Sequence, residues 1–385
     1  MLDLIKFELY KIFSKKSVII VLLLTVLFSI FNVVGQDVYL KFKGLDSIDD
    51  AYTVMEKYEG KVITQEYISN TDKTVENLTQ KEKSGKELTK EELVHLHFSY
   101  DNPLHVESTY IINNNFYSLN EIKDEISNLE KENKKDTYEY KNLNYVYGKA
   151  KNIEKPKFYF SHGWNTTTSF KIIGTLIAVL IVAALATTFS DEYQSNSAQI
   201  ILSCKNGKNK LVLSKLLSGL IFTVIVFLII NIIYFMSALR YDFIGWDKPL
   251  ALFKYYGSTI FDIRIIDFYI RGLGISFIGS ILFALVTMLI SLLFKNNIIS
   301  LLLSLGIYSA PAFLGGIIPI EKVAKVFKEI NLAEATKVES MFTLPNTYNI
   351  FGNPVLYSTL LISLVVIAIP VVIYLIKYFG KKQTI

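Results

Sequence analysis

Six stretches of this chain leave almost no choice of environment. Residues 17–34, 172–189, 216–237, 272–294, 298–318 and 355–376 are runs of 18 to 23 residues without one Asp, Glu, Lys, Arg or His. A helix of about 20 apolar residues crosses the roughly 30 Å hydrocarbon core of a bilayer. Lipid offers no partner to backbone N–H and C=O groups, so such a segment must satisfy them internally. The expected fold is an all-α polytopic membrane protein with six transmembrane helices. Residues 1–16 precede span 1 (17–35). There Leu2, Ile5, Leu9 and Ile12 follow helical spacing, and Lys6, Lys11, Lys15 and Lys16 supply a basic face. This predicts an amphipathic elbow helix lying in the headgroup layer with its lysines near anionic lipid. The first run ends Asn-Val-Val-Gly-Gln with no small-x-small cleavage pattern, which favours an uncleaved anchor over a signal peptide.

The lysines set an orientation. With the N-terminus inside, the short inner pieces carry Lys6, Lys11, Lys15, Lys16, Lys205, Lys208, Lys210, Lys215, Lys295, Lys377, Lys381 and Lys382. Only Asp3, Glu8, Asp191 and Glu192 oppose them. Residues 36–166 hold 18 lysines and 23 carboxylates and fall outside. This positive-inside pattern predicts a multi-pass membrane protein with both termini cytoplasmic.

The insert 36–166 is large enough for a small extracytoplasmic domain. Ser47-Ile-Asp-Asp50, Thr89-Lys-Glu-Glu92 and Ser118-Leu-Asn-Glu121 look like helix starts. Gly60 reads as a stop, and Leu119, Ile122, Ile126 and Leu129 as one packed seam. The middle, roughly 70–90, is almost wholly polar and is expected to be mobile. All four histidines, His95, His97, His105 and His162, fall in the insert. His-x-His puts both rings on one side only in a strand, and this stretch reads as helix, so no metal site is expected. The single cysteine, Cys204, excludes an internal disulfide and reads as a small buried residue.

Residues 167–385 hold spans 2 to 6. Loop 238–271 mixes charge and aromatics, as interfacial segments do. In span 4, Gly272, Ser276, Ser280 and Ala284 form a stripe of small residues that lets another helix approach closely, within the subunit or between subunits. Pro311, the Gly315-Gly316 pair and Pro319 should break the outer end of span 5, followed by an external interfacial helix within 320–340. Pro370 is expected to kink span 6.

Catalytic chemistry is sparse. Each Gly-Lys pair (at Gly60, Gly85, Gly148, Gly207 and Gly380) lacks the glycine five residues earlier, so no phosphate-cradling loop is present. Neither a Ser/His/Asp arrangement nor His-Glu-x-x-His is recognisable, and the spans lack the ionisable residues of proton relays. Nothing points to nucleic acid. The distinctive polar feature is the loop 190–215. It leaves span 2 with Asp191 and Glu192 and passes a short apolar helical patch, Ser197 to Leu202. It then turns among Lys205, Lys208 and Lys210, and span 3 opens after Lys215.

That order resembles the membrane subunit of type-2 ABC exporters of Gram-positive bacteria. Those subunits have an elbow helix, six spans, and a loop between spans 2 and 3 with a carboxylate, a coupling helix, a basic turn and a lysine opening span 3. Ile5-Lys-Phe-Glu-Leu-Tyr-Lys11 also resembles the family's usual start. The resemblance implies a permease without its own ATPase motifs, working with a separate ABC ATPase that binds ATP and Mg²⁺, and with a second permease, identical or related. Ile200, Ile201 and Leu202 would sit in a groove of the ATPase, while Glu192, Ser197, Lys205, Lys208, Lys210 and Lys215 fix register. The cargo path would be lined by Thr25, Ser29, Asn32 and Asn231, a lining that suits an amphipathic cargo such as a lipid, lipopeptide or antimicrobial peptide. The large insert departs from compact members. It leaves open a sodium-type exporter and, from another class, a non-transporting sensor or scaffold with an external ligand-binding domain.

Overall fold

The computed structural model describes residues 1–45, 47–99, 119–153, 157–203, 209–241, 243–257, 259–343 and 346–383. Six of its helices are long and apolar enough to cross a membrane. Helix α1 (Leu2–Ser14) is followed by one extended residue, Lys15 (φ −67°, ψ 121°), and then by α2 (Lys16–Phe42). The candidate membrane span ends at Gly35, but the helix does not. The helix continues into the insert because Asp37 and Leu40 still find partners there. Asp37 pairs with Arg240 and accepts a hydrogen bond from the Tyr241 hydroxyl (3.4 Å), while Leu40 enters the insert core.

Both described capping boxes form. Helix α3 (Ile48–Met55) is capped by Ser47, with Asp50 returning a bond to the Ser47 N–H (3.4 Å). After Met55 one 3₁₀ turn leads to Gly60, which takes the left-handed φ of +78°. The polar stretch does not behave as expected. It forms α4 (Gln65–Lys83), because Ile68, Val75 and Leu78 give it a narrow buried stripe. Helix α5 (Lys90–Phe98) starts at Thr89, whose N–H donates to Glu92 at 2.8 Å. Next come α6 (Leu119–Lys131) and α7 (Tyr138–Ala150), which pack together, with Ile122 and Leu129 buried. The third capping box and His105 lie outside the described residues. The insert core gathers Leu40, Ile48, Met55, Phe98, Phe158 and Phe160.

The second span is assembled from α8 (His162–Thr167), α9 (Phe170–Leu185) and α10 (Ser190–Gln194). Helix α11 (Ala198–Ser203) leads towards α12 (Lys210–Arg240). Then follow α13 (Ile265–Leu293) and α14 (Asn297–Ile317). Pro311 does not break α14, which runs through it and ends only before Pro319.

The segment after span 5 is not one interfacial helix. Helix α15 (Glu321–Glu329) folds back on α14. Helices α16 (Leu332–Lys337) and α17 (Ser340–Thr343) insert among α9, α13 and α18 (Tyr357–Lys381), burying Ala333, Ala335, Val338 and Met341. A hairpin of β1 (Thr347–Ile350) and β2 (Asn353–Leu356) leads into α18, and Tyr138 of the insert bonds to Thr347 across it (2.8 Å). Pro370 lies inside α18.

The inserted segment explains the small-residue stripe of span 4. Ser276 Oγ donates to the Thr336 carbonyl at 2.7 Å, and a Cβ on Gly279 would overlap the Ala335 carbonyl oxygen. Across the wedge, a Cβ on Gly174 of α9 would come within 2.5 Å of the Thr336 oxygen. Gly272 faces the Phe170 ring, and Ser280 and Ala284 are buried as well. The stripe therefore serves packing within the subunit. Apolar surface gains nothing by leaving lipid, so close backbone approach is what holds such helices together.

The wedge is fastened at its end. Val338 is the centre of a tight turn with φ +59° and ψ −39°, in which the Glu339 N–H meets the Lys337 carbonyl at 2.6 Å. Such a turn is rare for a β-branched residue. It aims the Glu339 carboxylate at the Lys171 N–H (2.7 Å), in the first turn of α9. Burial pushes the Glu339 carboxyl up to about 7.

Gly279→Ala should cost about 1–3 kcal/mol through overpacking, whereas Gly306→Ala, which meets nothing within 4 Å, should be neutral or slightly stabilising; thermal unfolding of the purified protein in detergent distinguishes them. A carboxyl held higher in the folded state than the ordinary 4.5 binds its proton more tightly there. The Glu339 contribution is thus fully present below pH 4.5 and lost as pH rises through about 7. Melting temperatures measured from pH 5 to 8 should fall less steeply with pH for Glu339→Gln than for the wild type.

Candidate functional site

A cluster of ion pairs gathers at the end of the helical bundle that carries α1. Two short breaks make this possible. Lys15 is extended between α1 and α2, and span 2 loses regular helix between Leu185 and Ser190. The second break is held from outside. Ser291 Oγ, near the end of α13, accepts from the Phe189 and Ser190 N–H groups at 3.0 and 3.2 Å. Ser190 Oγ donates to Asn297 Oδ1 at 2.5 Å, and Asn297 Nδ2 donates to Asp191 Oδ1 at 2.5 Å. The start of the loop is thereby tied to spans 4 and 5.

Its second carboxylate faces inward. Lys215 Nζ lies 2.7 Å from Glu192 Oε1, 3.2 Å from Glu8 Oε2 and 2.7 Å from the Thr188 carbonyl oxygen. Lys11 reaches both carboxylates, at 3.4 Å from Glu192 and 3.6 Å from Glu8. Lys15 pairs with Asp191 at 2.5 Å and donates to Thr187 Oγ1 at 2.6 Å. The sequence reading places Lys215 at the end of the loop. The structure places it in the second turn of α12, with the residue 1% exposed. Glu8 is 3% exposed. Nor do all the elbow lysines face lipid: Lys11 and Lys15 turn to these carboxylates, and Lys6 and Lys16 stay exposed. Beside the cluster Ser218 Oγ donates to the Ile5 carbonyl (3.1 Å), and Phe13 packs on Phe222 at 5.3 Å.

The physics of this cluster is one of balance. Each buried ion loses several kcal/mol of hydration, which only close counter-charges and hydrogen bonds offset. Glu8, Glu192, Lys11 and Lys215 are two carboxylates and two ammoniums, so the core of the cluster is neutral. Three chain segments far apart in sequence supply them.

Helix α11 hangs from this anchor. Ser197 Oγ donates to the Glu192 carbonyl (3.3 Å), and Ala198 is buried. Ile200 is 74% exposed and Ile201 is half-buried. Leu202 lies in the helix, and Lys210 is exposed at the start of α12. Cys204, Lys205 and Lys208 lie outside the described residues. The last span closes the same end, where a Cβ on Gly380 would come within 2.8 Å of Val212.

The other candidate residues divide. Thr25, Ser29 and Asn231 are buried in the seam between α2 and α12, each bonding a carbonyl one turn back on its own helix, and Asn32 is half-buried above them. Thr25 also lines an open groove between α2 and α9, and Asn32 lines a polar cavity at the insert end of the seam. In α5, the His95 Nε2 meets the Tyr58 hydroxyl at 3.2 Å, while His97 packs edge-on to Tyr39. The two rings therefore serve different neighbours. Among the described residues no three His, Cys, Asp or Glu side chains gather as a metal-binding group.

The sequence reading did not single out Glu8, Lys11, Lys15, Asn297 or Ser291 as a site. The available signal was Glu8 itself, a carboxylate set in the middle of a basic amphipathic helix.

Six apolar spans, a short elbow tied by ion pairs to the loop between spans 2 and 3, and a helical wedge after span 5 define a multi-pass helical membrane protein. A family model described as ABC-2 family transporter protein matches residues 2–382, and the chain belongs to that family. No curated protein and no solved structure matches it.

Lys215→Ala should leave Glu8 and Glu192 facing each other without their shared cation, at a cost of about 3–5 kcal/mol. Lys215→Met combined with Glu8→Gln and Glu192→Gln should recover most of that loss. Detergent-melting curves of the single and triple variants test both statements.

Proposed function

We propose that this chain is the permease subunit of an ATP-driven exporter, driven by a separate ABC ATPase that docks on α11. The observation that carries the reading is the ion cluster joining Glu192 of the loop to Glu8 of the elbow and Lys215 of span 3. An exposed apolar helix offers a partner something to push. The buried cluster behind it converts that push into movement of the elbow and of spans 2 and 3 together. Ile200 and Ile201 are the mechanical contact, with Leu202 following them in the helix. Glu192 and Lys215 act behind the surface as anchors, while Lys205, Lys208 and Lys210 offer positive charge to the partner. ATP and Mg²⁺ belong to the ATPase, and this chain binds no cofactor.

In this reading the elbow end and both termini are cytoplasmic, the insert is extracytoplasmic, and a second permease completes the complex in the bilayer of a bacterial cell. The cargo is amphipathic, a lipid, lipopeptide or antimicrobial peptide, in keeping with the absence of ionisable residues from the six apolar runs.

Co-expression with the candidate ATPase provides the test. Ile200→Asp should reduce co-purification of the ATPase at least tenfold without lowering the melting temperature of the permease. Wild-type co-purification and ATPase activity in that variant would refute docking on α11. Reaction of Cys204 with an impermeant thiol reagent applied to intact cells would refute the orientation.

A further inference from the structure

Span 5 touches the rest of the bundle along one narrow edge. In α14 the buried residues are Ser300, Ser304, Tyr308 and Gly315, and Asn297, half-buried, precedes Ser300 by three positions. Steps of three and four residues place them on one face of the helix. The remaining surface leaves Leu302, Leu305 and Phe313 exposed. An apolar edge would be enough to pack a membrane helix, yet this one is polar from Asn297 to Tyr308.

The polar residues of the edge divide by what they reach. Ser300 Oγ donates to the Phe294 carbonyl at the span 4–5 corner (3.3 Å), and Ser304 Oγ to the Ser300 carbonyl of its own helix (2.7 Å). Asn297 and Tyr308 bond to other elements. Asn297 takes the Ser190 hydroxyl and gives its amide to Asp191 Oδ1, both at 2.5 Å. Eleven residues on, about 16 Å along the helix, the Tyr308 hydroxyl meets Thr336 Oγ1 of α16 at 2.9 Å. The Tyr308 ring packs on Phe283 of α13, with centroids 4.9 Å apart.

Both contacts fall at functional junctions of the fold. Ser190 and Asp191 open the loop that carries α11. Thr336 is the centre of the wedge, where its carbonyl accepts from Ser276 and its backbone sits against Gly174. The helix between the two contacts is unbroken, since its proline, Pro311, comes after Tyr308. Phenylalanine would fill the same space as Tyr308, so what the hydroxyl adds is a directed bond to the wedge. Rigid helix closed at each end by hydrogen bonds is the kind of contiguous element that carries coupling between distant sites.

We propose that span 5 is a connecting rod between the loop and the wedge: Asn297 takes up displacement of Ser190 and Asp191, and Tyr308 delivers it to Thr336. The proposal rests on the ATPase docking described above and names where its stroke goes. Two outputs leave adjacent carboxylates. Glu192 leads to the elbow and span 3, and Asp191 leads through span 5 to α16 and α17. Asn297 and Tyr308 are positioning residues that act through these partners.

The test uses the full-length permease co-purified with its candidate ATPase. In a Cys204→Ser background, a bimane fluorophore is placed by Tyr10→Cys on the exposed side of the elbow or by Ser340→Cys at the exposed end of the wedge. Emission is compared between the nucleotide-free and the ATP–vanadate-trapped complex. Both probes should shift when Asn297 and Tyr308 are intact. Asn297→Leu and, separately, Tyr308→Phe should abolish the shift at position 340 and keep the shift at position 10. Asn297→Gln, which retains the amide, should restore the lost shift. Tyr308→Phe preserves the ring packing and decides the matter should Asn297→Leu melt below the wild type. An undiminished shift at position 340 in Tyr308→Phe would overturn the rod, and loss of both shifts there would replace it with a bundle that moves as one body. A shift at the elbow alone with both residues intact would overturn the rod and leave docking on α11 standing. No shift at either probe in an assembled complex would sink the coupling reading and the rod together.

Discussion

Everything at the elbow end depends on one buried ammonium. Lys215 is held by Glu8, Glu192 and the Thr188 carbonyl, and it is almost wholly removed from solvent. A cation in such a place is tolerable only while both carboxylates stay near it. The elbow helix, the loop and the third span are consequently one mechanical unit. Asp191, Asn297 and Ser291 extend that unit to spans 4 and 5 through shorter-range hydrogen bonds.

The other end of the bundle is held by different means. Backbone approach takes the place of charge: Gly174 and Gly279 let α16 sit between spans 2 and 4, and Ser276 bonds its carbonyl. A segment with few long side chains can pass between membrane helices only where those helices are themselves stripped to glycine and serine. One subunit therefore combines an electrostatic lock near one surface with a steric wedge near the other.

Much of this was legible in the sequence. The six spans follow from uninterrupted apolar runs, and the capping boxes at Ser47 and Thr89 form as their spacing predicts. The span 4 stripe was readable as a close-approach surface, although its occupant was not, because α16 comes from a segment whose own pattern, Leu-Ala-Glu-Ala-Thr-Lys, is too short to declare itself. The depth of Lys215 was hidden for a similar reason. Ending an apolar run at its first charge assumes that charges lie at surfaces, and Lys215 is buried because Glu8, 207 residues away, neutralises it. The polar run 70–83 misled by composition, since three apolar residues at the right spacing are enough to seat a helix.

Helix α2 passes from Lys16 to Phe42 without a joint, about 40 Å of rod. Its far third is built into the insert core through Leu40 and fastened to α12 through Asp37 and Arg240. A rod cannot absorb rotation along its length. Any tilt of the rod's far third must reappear at its other end, at Lys15, the single extended residue before α1. The ammonium of that hinge residue is pinned to Asp191. The insert and the loop between spans 2 and 3 are thus geared to each other, and a load on either is felt at the same joint.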